Sequence, residues 1–328
     1  MPMPLLRVTD LRTYFISFRG QRAVKAVDGV SFSLEADETL GLVGESGCGK
    51  TTTCHAIFRI LPPAGRVMGG SVEFAGEDLM QKSPRQMRRI RGRDMAIILQ
   101  DPMVSLNPLF SIFNQVAEPA YFHLGLRRQP LRQRVVRLLQ MVRIPSPETR
   151  MHEYPHQMSG GMRQRIVGAT ALSGGPKLII ADEPTTNLDV TIQLQYLNLL
   201  KDLQRQTGVA LIFVTHDLGI VAKMCDRVAV MYAGKIVEQG SVREIYNHPS
   251  HPYTEGLLKS MPRIGDKAAL YTIPGHPPDL ANLSPGCAFA PRCPYTTVRC
   301  ETEEPAELII ADGHTSRCWL SVQEGQWG

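Results

Sequence analysis

Short apolar runs, each followed by small or polar residues, predict the strands of this chain. Leu40–Val43 precedes a glycine-rich turn, Leu178–Ala181 precedes two carboxylates, and Val209–Val214 precedes Thr215 and His216. The second run predicts a strand that is buried on both faces, as in a parallel sheet. Because the carboxyl ends of parallel strands meet at one edge of a sheet, we expect the polar residues to gather there.

The rest of the chain follows two other patterns. Residues 101–171 are basic and have a helical pattern, whereas the composition shifts towards Pro and Gly after Gly240. The length of 328 residues, 43% of them hydrophobic, is enough for one large or two ordinary cores. We therefore predict an α/β core with a helical part, followed by a smaller C-terminal region.

The turn after the first apolar run satisfies the pattern G-x-x-x-x-G-K-[ST]. Its glycines allow successive N–H groups to point at a triphosphate, Lys50 reaches the terminal phosphates, and the Thr51 hydroxyl can bind Mg²⁺. A glycine-rich turn without a nucleotide is the alternative. The residues predicted to contact the nucleotide or its magnesium ion are Gly44, Ser46, Gly47, Cys48, Gly49, Lys50, Thr51 and Thr52.

Asp182 and Glu183 stand directly after the second apolar run. Adjacent carboxylates at that place suit two tasks, since Asp182 would hold Mg²⁺ through water and Glu183 would polarise the water that attacks a γ-phosphate. His216 follows the third run and is predicted at the same edge of the sheet, with a structural, hydrogen-bonded histidine as the alternative. These features fit many P-loop NTPases, including small kinases.

Charge and composition limit the partners. The net charge is only +5, but arginines crowd two segments, at 85–93 and 127–137. Solvated helix faces account for such runs, and an anionic membrane surface or a protein partner is the alternative. No aromatic residues alternate with these arginines, so we expect no nucleic-acid partner. The absence of a signal-peptide pattern and of any run of about 18 apolar residues predicts a soluble, cytoplasmic protein.

Motifs in a fixed order narrow the choice to one family. They resemble the Q-loop, signature, Walker B, D-loop and switch histidine of the ATP-binding cassette (ABC) family: Gln100; Ser159, Gly160 and Gly161; Asp182 and Glu183; Asn187 to Asp189; His216. The resemblance implies an α/β fold: a P-loop NTPase (RecA-like) ABC ATPase core with an antiparallel β subdomain and an α-helical subdomain. It also implies a small C-terminal cysteine-containing domain.

The resemblance implies a composite site, in which ATP bound to one subunit is closed over by the signature residues of another. A lone subunit should then hydrolyse ATP poorly. Gln100 would bind Mg²⁺ and the lytic water, and would sense the membrane partner. Glu183 would be the general base, and His216 would contact the γ-phosphate. Asp189 would communicate across the dimer.

Two positions depart from the family pattern, and the identity of the residue that stacks on adenine is open. Met162 replaces the glutamine that usually ends the signature, and we expect an active half-site all the same. Cys48 is unusual within a phosphate loop, and at a helix N-terminus its thiol could be reactive. Phe15 would stack on adenine, with Tyr14 or a purely structural aromatic as the alternatives.

The end of the chain resembles one branch of the family. His248 to Leu258 is similar to the stretch that follows the ATPase domain in oligopeptide and dipeptide importers, and Gly286 to Cys300 recurs in that branch. His248 and His251 could bind metal, but loop and helix-cap roles are the preferred interpretation. We predict a nucleotide-binding domain at 1–250, with its helical subdomain at about 101–171, and a C-terminal domain at 251–328.

This resemblance implies an ATPase subunit that drives the import of di- or oligopeptides. Its partners would be a second ATPase, two transmembrane permeases, and a substrate-binding protein that acts through the permeases. A paralogue of this chain is the preferred second ATPase, and a copy of this chain is the alternative. The subunit would lie peripherally on the cytoplasmic side of the inner membrane. A soluble ABC ATPase of repair, translation or iron–sulfur assembly is the alternative, although it would lack the importer tail. Nickel chelates and sugars stay open as cargo.

Four of the seven cysteines lie in the tail, with the spacing C-x5-C-x6-C-x17-C: Cys287, Cys293, Cys300 and Cys318. A reducing cytoplasm disfavours disulfides, and four thiolates suit either zinc or an iron–sulfur cluster. Spacing alone does not decide between them, and unligated thiols are a third possibility. The resemblance to peptide importers, whose tail is associated with a 4Fe–4S cluster, favours the cluster, in a structural or redox-sensing role.

Overall fold

The chain folds into two compact units. The first contains Met1–Leu34, Thr39–Asp78 and Thr215–Gly328, and the second contains Glu35–Glu38 and Leu79–Val214. The structure is a computed structural model that describes residues 3–17, 22–186, 188–262 and 271–324.

Strands and helices occur along the whole of the described chain, with five α-helices in succession between β6 and β7. The strands are β1 (Leu6–Ile16), β2 (Ala23–Leu34), β3 (Thr39–Val43), β4 (Gly65–Phe74), β5 (Glu77–Asp78), β6 (Met95–Ile98), β7 (Leu178–Asp182), β8 (Ala210–Thr215), β9 (Arg227–Tyr232), β10 (Lys235–Ser241), β11 (Leu308–Ala311) and β12 (His314–Ser316). The α-helices are α1 (Lys50–Phe58), α2 (Pro84–Ile90), α3 (Pro102–Ser105), α4 (Ile112–His123), α5 (Arg128–Met141), α6 (Pro147–Arg150), α7 (Gly160–Ser173), α8 (Val190–Thr207), α9 (Leu218–Met224), α10 (Val242–Asn247), α11 (Pro252–Lys259), α12 (Val298–Thr302) and α13 (Trp319–Glu324). Single 3₁₀ turns lie at Leu79–Gln81, Pro155–Gln157 and Ala290–Arg292.

The first unit contains an antiparallel sheet and part of a mixed one. The antiparallel sheet has the order β2-β1-β4-β5, and along β1 the buried residues Leu6 and Val8 alternate with the exposed residues Arg7 and Thr9. This period of two turns one face of the strand to the core. In the mixed sheet β3 runs parallel to β9, and β9, β10, β12 and β11 continue antiparallel.

The second unit combines a parallel sheet with packed helices. β6, β7 and β8 pair in parallel, and every residue of β7 and β8 is buried. The prediction of a strand buried on both faces at Leu178–Ala181 is therefore confirmed. Helices α4, α5 and α7 pack against one another. In α4 the buried residues Ile112, Val116 and Ala120 recur every four positions, which places them on one side of the helix.

Among the helices of the described residues, none is both long and apolar enough to cross a membrane.

Candidate functional site

Two glycines shape the loop that follows β3. Gly44 has a φ of +152°, and a Cβ atom there would lie 2.2 Å from the carbonyl oxygen of Met231. Gly49 has a φ of +108°, and its Cβ atom would lie 2.2 Å from the carbonyl oxygen of Ala26. No side chain fits at such distances, so the tight course of the loop requires glycine at both positions.

Lys50 begins α1 and is buried. Its Nζ donates hydrogen bonds to the carbonyl oxygens of Gly44, at 2.7 Å, and Glu45, at 3.0 Å. The ammonium group is thus held inside the loop by two of the loop's own carbonyls. Phosphate oxygens are stronger acceptors because they are charged, so a bound triphosphate can take over these hydrogen bonds.

The other loop residues differ in exposure. Ser46, Gly47 and Thr51 are exposed, Thr52 is half-buried, and Cys48 is buried. Burial raises the pKa of the Cys48 thiol. Both observations disfavour the expected reactive thiol, because the thiolate is the nucleophilic form.

Glu183 follows β7 in the second unit with an unusual backbone conformation. Its φ is +45°, in the left-handed region, and its N–H donates to the carbonyl oxygen of Val214 at 3.0 Å. Its Oε2 accepts hydrogen bonds from Gln100 Nε2 at 3.1 Å and from Thr186 Oγ1 at 3.0 Å. Backbone strain of this kind is concentrated at functional sites. Asp182, the last residue of β7, is buried.

The signature residues form the start of α7. Ser159 is the N-cap, and its hydroxyl accepts a hydrogen bond from the N–H of Met162 at 3.3 Å. A Cβ atom at Gly161 would lie 2.8 Å from Ile192 Cγ2, whereas one at Gly160 would meet no atom within 4 Å. Packing therefore requires glycine only at position 161, and the open space at Gly160 leaves the backbone accessible to a ligand.

Gln164, on the first turns of α7, was not identified from the sequence. It is buried, and its Nε2 donates to the carbonyl oxygen of Pro184 at 2.7 Å. Pro184 directly follows Glu183, so Gln164 ties the signature helix to the backbone beside the carboxylate. In the sequence, the only signal for this contact was a glutamine three residues after a signature glycine.

Asp189 is the N-cap of α8, and its Oδ1 accepts from the N–H of Ile192 at 3.0 Å. An aspartate at this position stabilises the helix start and its dipole. Asn187, which was assigned to the same loop, lies outside the described residues.

The two aromatic residues that were candidates for stacking on adenine are consecutive residues near the end of β1. Tyr14 Oη donates to Asp28 Oδ1 at 2.7 Å, and burial raises the pKa of Tyr14 to about 12. Phe15 is half-buried, and its ring lies 3.0 Å from the position of a Cβ atom at Gly65. Tyr14 is thus committed to a carboxylate, whereas Phe15 presents only an apolar ring.

His216 lies between β8 and α9, and its side chain is exposed. The next residue, Asp217, caps α9 by accepting from the N–H groups of Gly219 and Ile220. This cap fixes the backbone of Asp217 at the start of α9, and with it the backbone of the adjacent His216.

The four tail cysteines share one cavity of about 450 Å³, which is lined by Cys287, Cys293, Cys300 and Cys318. Burial raises the pKa of Cys287 and raises that of Cys318 to about 11, and neighbouring thiols add to both effects. Within the described ranges, however, no group of three or more His, Cys, Asp or Glu residues is arranged to hold a metal ion. The two observations differ because ligands of one ion must converge on a point, whereas residues that line a cavity need not. The predicted metal site therefore has no support as a preformed group of ligands.

Two histidines of the tail stand at helix ends, as preferred from the sequence. His251 is the N-cap of α11, and its Nδ1 accepts from the N–H of Tyr253 at 3.0 Å. His248 is the C-cap of α10. Burial lowers the pKa of His251 to about 4, so it is neutral at physiological pH and can serve as this acceptor.

Comparison with known proteins decides the family. The ABC transporter family matches residues 27–186, and the C-terminal region of oligopeptide/dipeptide transporters matches residues 237–300. The dipeptide transport ATP-binding protein DppD of Bacillus subtilis is 48% identical over 324 residues, 98% of this chain and 96% of the relative. The chain belongs to the ATP-binding proteins of this ABC transporter branch. The oligopeptide transport ATP-binding protein OppD of the same bacterium is 48% identical over 319 residues, 96% of this chain and 88% of the relative.

Solved structures support the fold of this ABC ATPase. That of cbiO1 from Clostridium perfringens, part of the ABC transporter complex cbiONQ, is 27% identical with a TM-score of 0.64, covering 75% of this chain and 92% of that one. The dimeric structure of the bacterial ABC transporter cassette MJ0796 has the same TM-score at 24% identity, covering 73% of this chain and 99% of that one, and shows the fold alone. The predicted α/β ABC ATPase fold is confirmed. The cysteine-containing C-terminal domain stays a prediction.

Membership of this family also decides between the interpretations of the motifs. The chain is an ABC ATPase whose ATP hydrolysis is coupled to transport, and the small-kinase alternative was wrong. The match to the transporter C-terminal region favours the transport role over a soluble ABC ATPase without one.

Proposed function

We propose that this ABC ATPase powers the import of di- or oligopeptides through partner permeases. The match of residues 237–300 to the oligopeptide/dipeptide transporter C-terminal region carries the proposal, since that region distinguishes this branch from other ABC ATPases. The names of DppD and OppD support the same cargo class. In this proposal residues 1–250 form the nucleotide-binding domain and residues 251–328 a C-terminal domain.

The phosphate loop binds the triphosphate of ATP. Lys50 moves its hydrogen bonds from the carbonyls of Gly44 and Glu45 to the terminal phosphates, and the loop N–H groups add further donors. Phe15 stacks on the adenine, because Tyr14 is held by Asp28. Ser46, Gly47, Cys48, Gly49 and Thr52 complete the loop contacts.

Glu183 acts as the general base. It accepts a proton from water while the water oxygen bonds to the γ-phosphorus, and the bond between that phosphorus and the leaving oxygen of ADP breaks. The hydrogen bonds from Gln100 and Thr186 support this role because they orient the carboxylate. His216 contacts the γ-phosphate.

A magnesium ion fits the oxygen ligands of these motifs. Thr51, Gln100 and Asp182 supply a hydroxyl, an amide oxygen and a carboxylate, which are the ligand types that Mg²⁺ takes in proteins. Asp182 ends β7, where the sequence places the carboxylate of this motif. The bound ion neutralises charge that develops on the phosphates during hydrolysis.

Two ATPase subunits are needed for turnover. Ser159, Gly160 and Gly161 of one subunit close over the ATP of the other, and Asp189 communicates across the dimer. The N-terminus of α7 supports this role, since helix N-termini attract phosphate and the space beside Gly160 is open. The second subunit is a paralogue. Met162 contributes its backbone N–H to the Ser159 cap.

The permeases dock on the helical part of the second unit. Leu109, Phe110 and Phe122 are exposed there, at 81%, 51% and 70%, and Phe110 and Phe122 border an apolar cavity of about 420 Å³. Large exposed apolar side chains clustered in this way are typical of protein interfaces. Docking places the subunit peripherally at the cytoplasmic face of the membrane, and the substrate-binding protein acts through the permeases.

The four tail cysteines hold a 4Fe–4S cluster. Their shared cavity supports this, since all four cysteines line one space in which their thiolates could serve as ligands. The cluster supplies rigidity to the tail or a one-electron redox response.

Reconstitution tests the proposal. The chain should be purified with its permeases and partner ATPase, placed in vesicles, and supplied with binding protein and radiolabelled dipeptide or pentapeptide. We expect ATP-dependent peptide uptake, and ATPase activity well above that of the isolated chain. Uptake of a nickel chelate or sugar without peptide uptake would contradict the cargo. An isolated chain that hydrolyses ATP at the full rate of the assembly would contradict coupling.

A further inference from the structure

Glu45, the first residue after Gly44 in the phosphate loop, forms an ion pair with an arginine of the cysteine-bearing tail. Arg292 Nη1 lies 2.6 Å from Glu45 Oε2, and Arg292 Nη2 lies 3.0 Å from Oε1. This is the two-point geometry that makes arginine–carboxylate pairs strong and directional. The two residues are 247 positions apart in the sequence.

The arginine is held rigidly by its surroundings. Its side chain is only 4% exposed, its Nε donates to the carbonyl oxygen of Pro274 at 2.8 Å, and its Nη2 reaches that of Ile273 at 3.4 Å. Its Nη1 also contacts Tyr232 Oη at 3.4 Å. Arg292 ends a 3₁₀ turn immediately before Cys293. A guanidinium that is fixed in this way determines where its carboxylate partner lies.

Tyr253 of α11 holds the same loop residue from another direction. It is fully buried, and its Oη accepts the N–H of Glu45 at 2.8 Å. Its ring packs with Tyr232 and Phe289, at centroid distances of 4.6 and 5.4 Å. The backbone and the side chain of Glu45 are therefore both anchored on residues C-terminal to the ATPase motifs.

Glu45 in turn contacts the nucleotide-binding part of the loop. Its carbonyl oxygen accepts from Lys50 Nζ at 3.0 Å and from the N–H of Cys48 at 3.3 Å. A displacement of Glu45 would thus move the acceptor of the lysine that is proposed to reach the phosphates. A loop that is already ordered before ATP arrives loses less conformational entropy on binding.

We infer that Arg292, although it lies in the C-terminal tail, is a positioning residue for ATP binding that acts through Glu45 of the phosphate loop. Tyr253 supports the same residue. The inference rests on the proposal that this loop binds ATP, but it is independent of whether the tail cysteines hold a cluster. The tail is in this way part of the nucleotide site of its own subunit.

Titration of the full-length chain with a fluorescent ATP analogue tests the inference. We expect Arg292→Gln to weaken binding about 10-fold, a difference of about 1.4 kcal/mol. In the assembled transporter KM for ATP should rise by a similar factor, while kcat at saturating ATP changes less than about twofold, because the tail residue does not take part in the chemical step. Arg292→Lys, which keeps the charge but not the two-point geometry, should be intermediate.

A double-mutant cycle separates this route from a general effect on folding. If Arg292 acts through Glu45, the double variant Arg292→Gln/Glu45→Gln should bind ATP no more weakly than the weaker single variant. Arg317→Gln is the matched control, because Arg317 is another tail arginine whose ion pair, with Glu307, stays within the tail. It should bind ATP normally. Additive losses in the double variant would overturn the inference.

Tyr253→Phe keeps the inference testable if Arg292→Gln does not fold. The variant preserves the buried ring and removes only the acceptor of the Glu45 N–H, so we expect a loss of affinity of about threefold, near the small end for one hydrogen bond. Unchanged ATP affinity in a folded Arg292→Gln or, failing that, in Tyr253→Phe would overturn the inference. Lys50→Ala distinguishes a failure of this inference from a failure of the proposed function. Normal ATP affinity in that variant would contradict the proposal that the phosphate loop binds ATP.

Discussion

Gln100 Nε2 donates a hydrogen bond of 3.1 Å to Glu183 Oε2, across 83 positions of the sequence. The same oxygen accepts from Thr186 Oγ1 at 3.0 Å. Two donors on one carboxylate oxygen restrict the rotation of the side chain. The pair therefore links a residue proposed to sense the permeases with the residue proposed to activate water.

Replacing this carboxylate should separate ATP binding from hydrolysis. We expect Glu183→Gln, in the assembled transporter, to bind ATP but to hydrolyse it at least about 100-fold more slowly, since a positioned base contributes roughly 10²- to 10⁴-fold. Phosphate release and nucleotide binding should be measured in parallel. Glu148→Gln, an exposed glutamate of α6, is the control. Undiminished hydrolysis in Glu183→Gln would rule out the general-base role.

Gln164→Leu should destabilise the protein. The substitution leaves the carbonyl oxygen of Pro184 without the donor that now lies 2.7 Å away, in a region where Gln164 is 1% exposed. Loss of a buried hydrogen-bond partner costs about 1–3 kcal/mol. Urea unfolding measures the difference, with Gln133→Leu on the exposed face of α5 as the control. Equal stability of the two variants would show that this bond contributes little.

His251 should make stability depend on pH. Burial lowers its pKa from 6.5 to about 4, so between these values the unfolded chain binds a proton that the folded chain does not. The stability that neutral His251 contributes is present above pH 6.5 and is lost as the pH falls towards 4, on the order of 1–3 kcal/mol.

The surroundings of His251 define the control for this measurement. Glu238 accepts the backbone N–H of His251 at 3.1 Å, and its side chain lies 2.8 Å from His314 Nε2. Glu238 and His314 are both unchanged in His251→Asn, so this variant removes only the His251 imidazole. Urea unfolding at pH 7.5 and pH 5 should show a smaller loss of stability on acidification in His251→Asn than in the parent, whereas the exposed His276→Asn should match the parent. An equal loss in all three proteins would mean that His251 does not titrate as described.

Metal analysis should decide the state of the tail cysteines. Purified without oxygen, the chain should be brown and should contain about four irons. Cys293→Ser should lose the iron, and Cys225→Ser, outside the tail cavity, should keep it. A colourless anaerobic preparation with one zinc per chain would contradict the cluster.

Several local features could be predicted from adjacent residues alone. The glycines around Lys50, the carboxylates at the end of β7, and the cap at His251 each depend on a few neighbouring positions and on the backbone geometry that those positions allow. The apolar run at Leu178–Ala181 likewise predicts a buried strand, because a strand without polar positions has no face for solvent. Short-range sterics and hydrogen bonding are sufficient for such features.

The contacts that surround these motifs depended on the tertiary structure. Nothing near Glu45 indicates Arg292, since arginines are numerous in this chain and ion pairing has no sequence period. The role of Gln164 likewise appears only when α7 packs beside the loop at Pro184. Such pairs form because buried charges and carbonyls must find partners wherever the fold brings them, and burial is a property of the whole fold rather than of a local pattern.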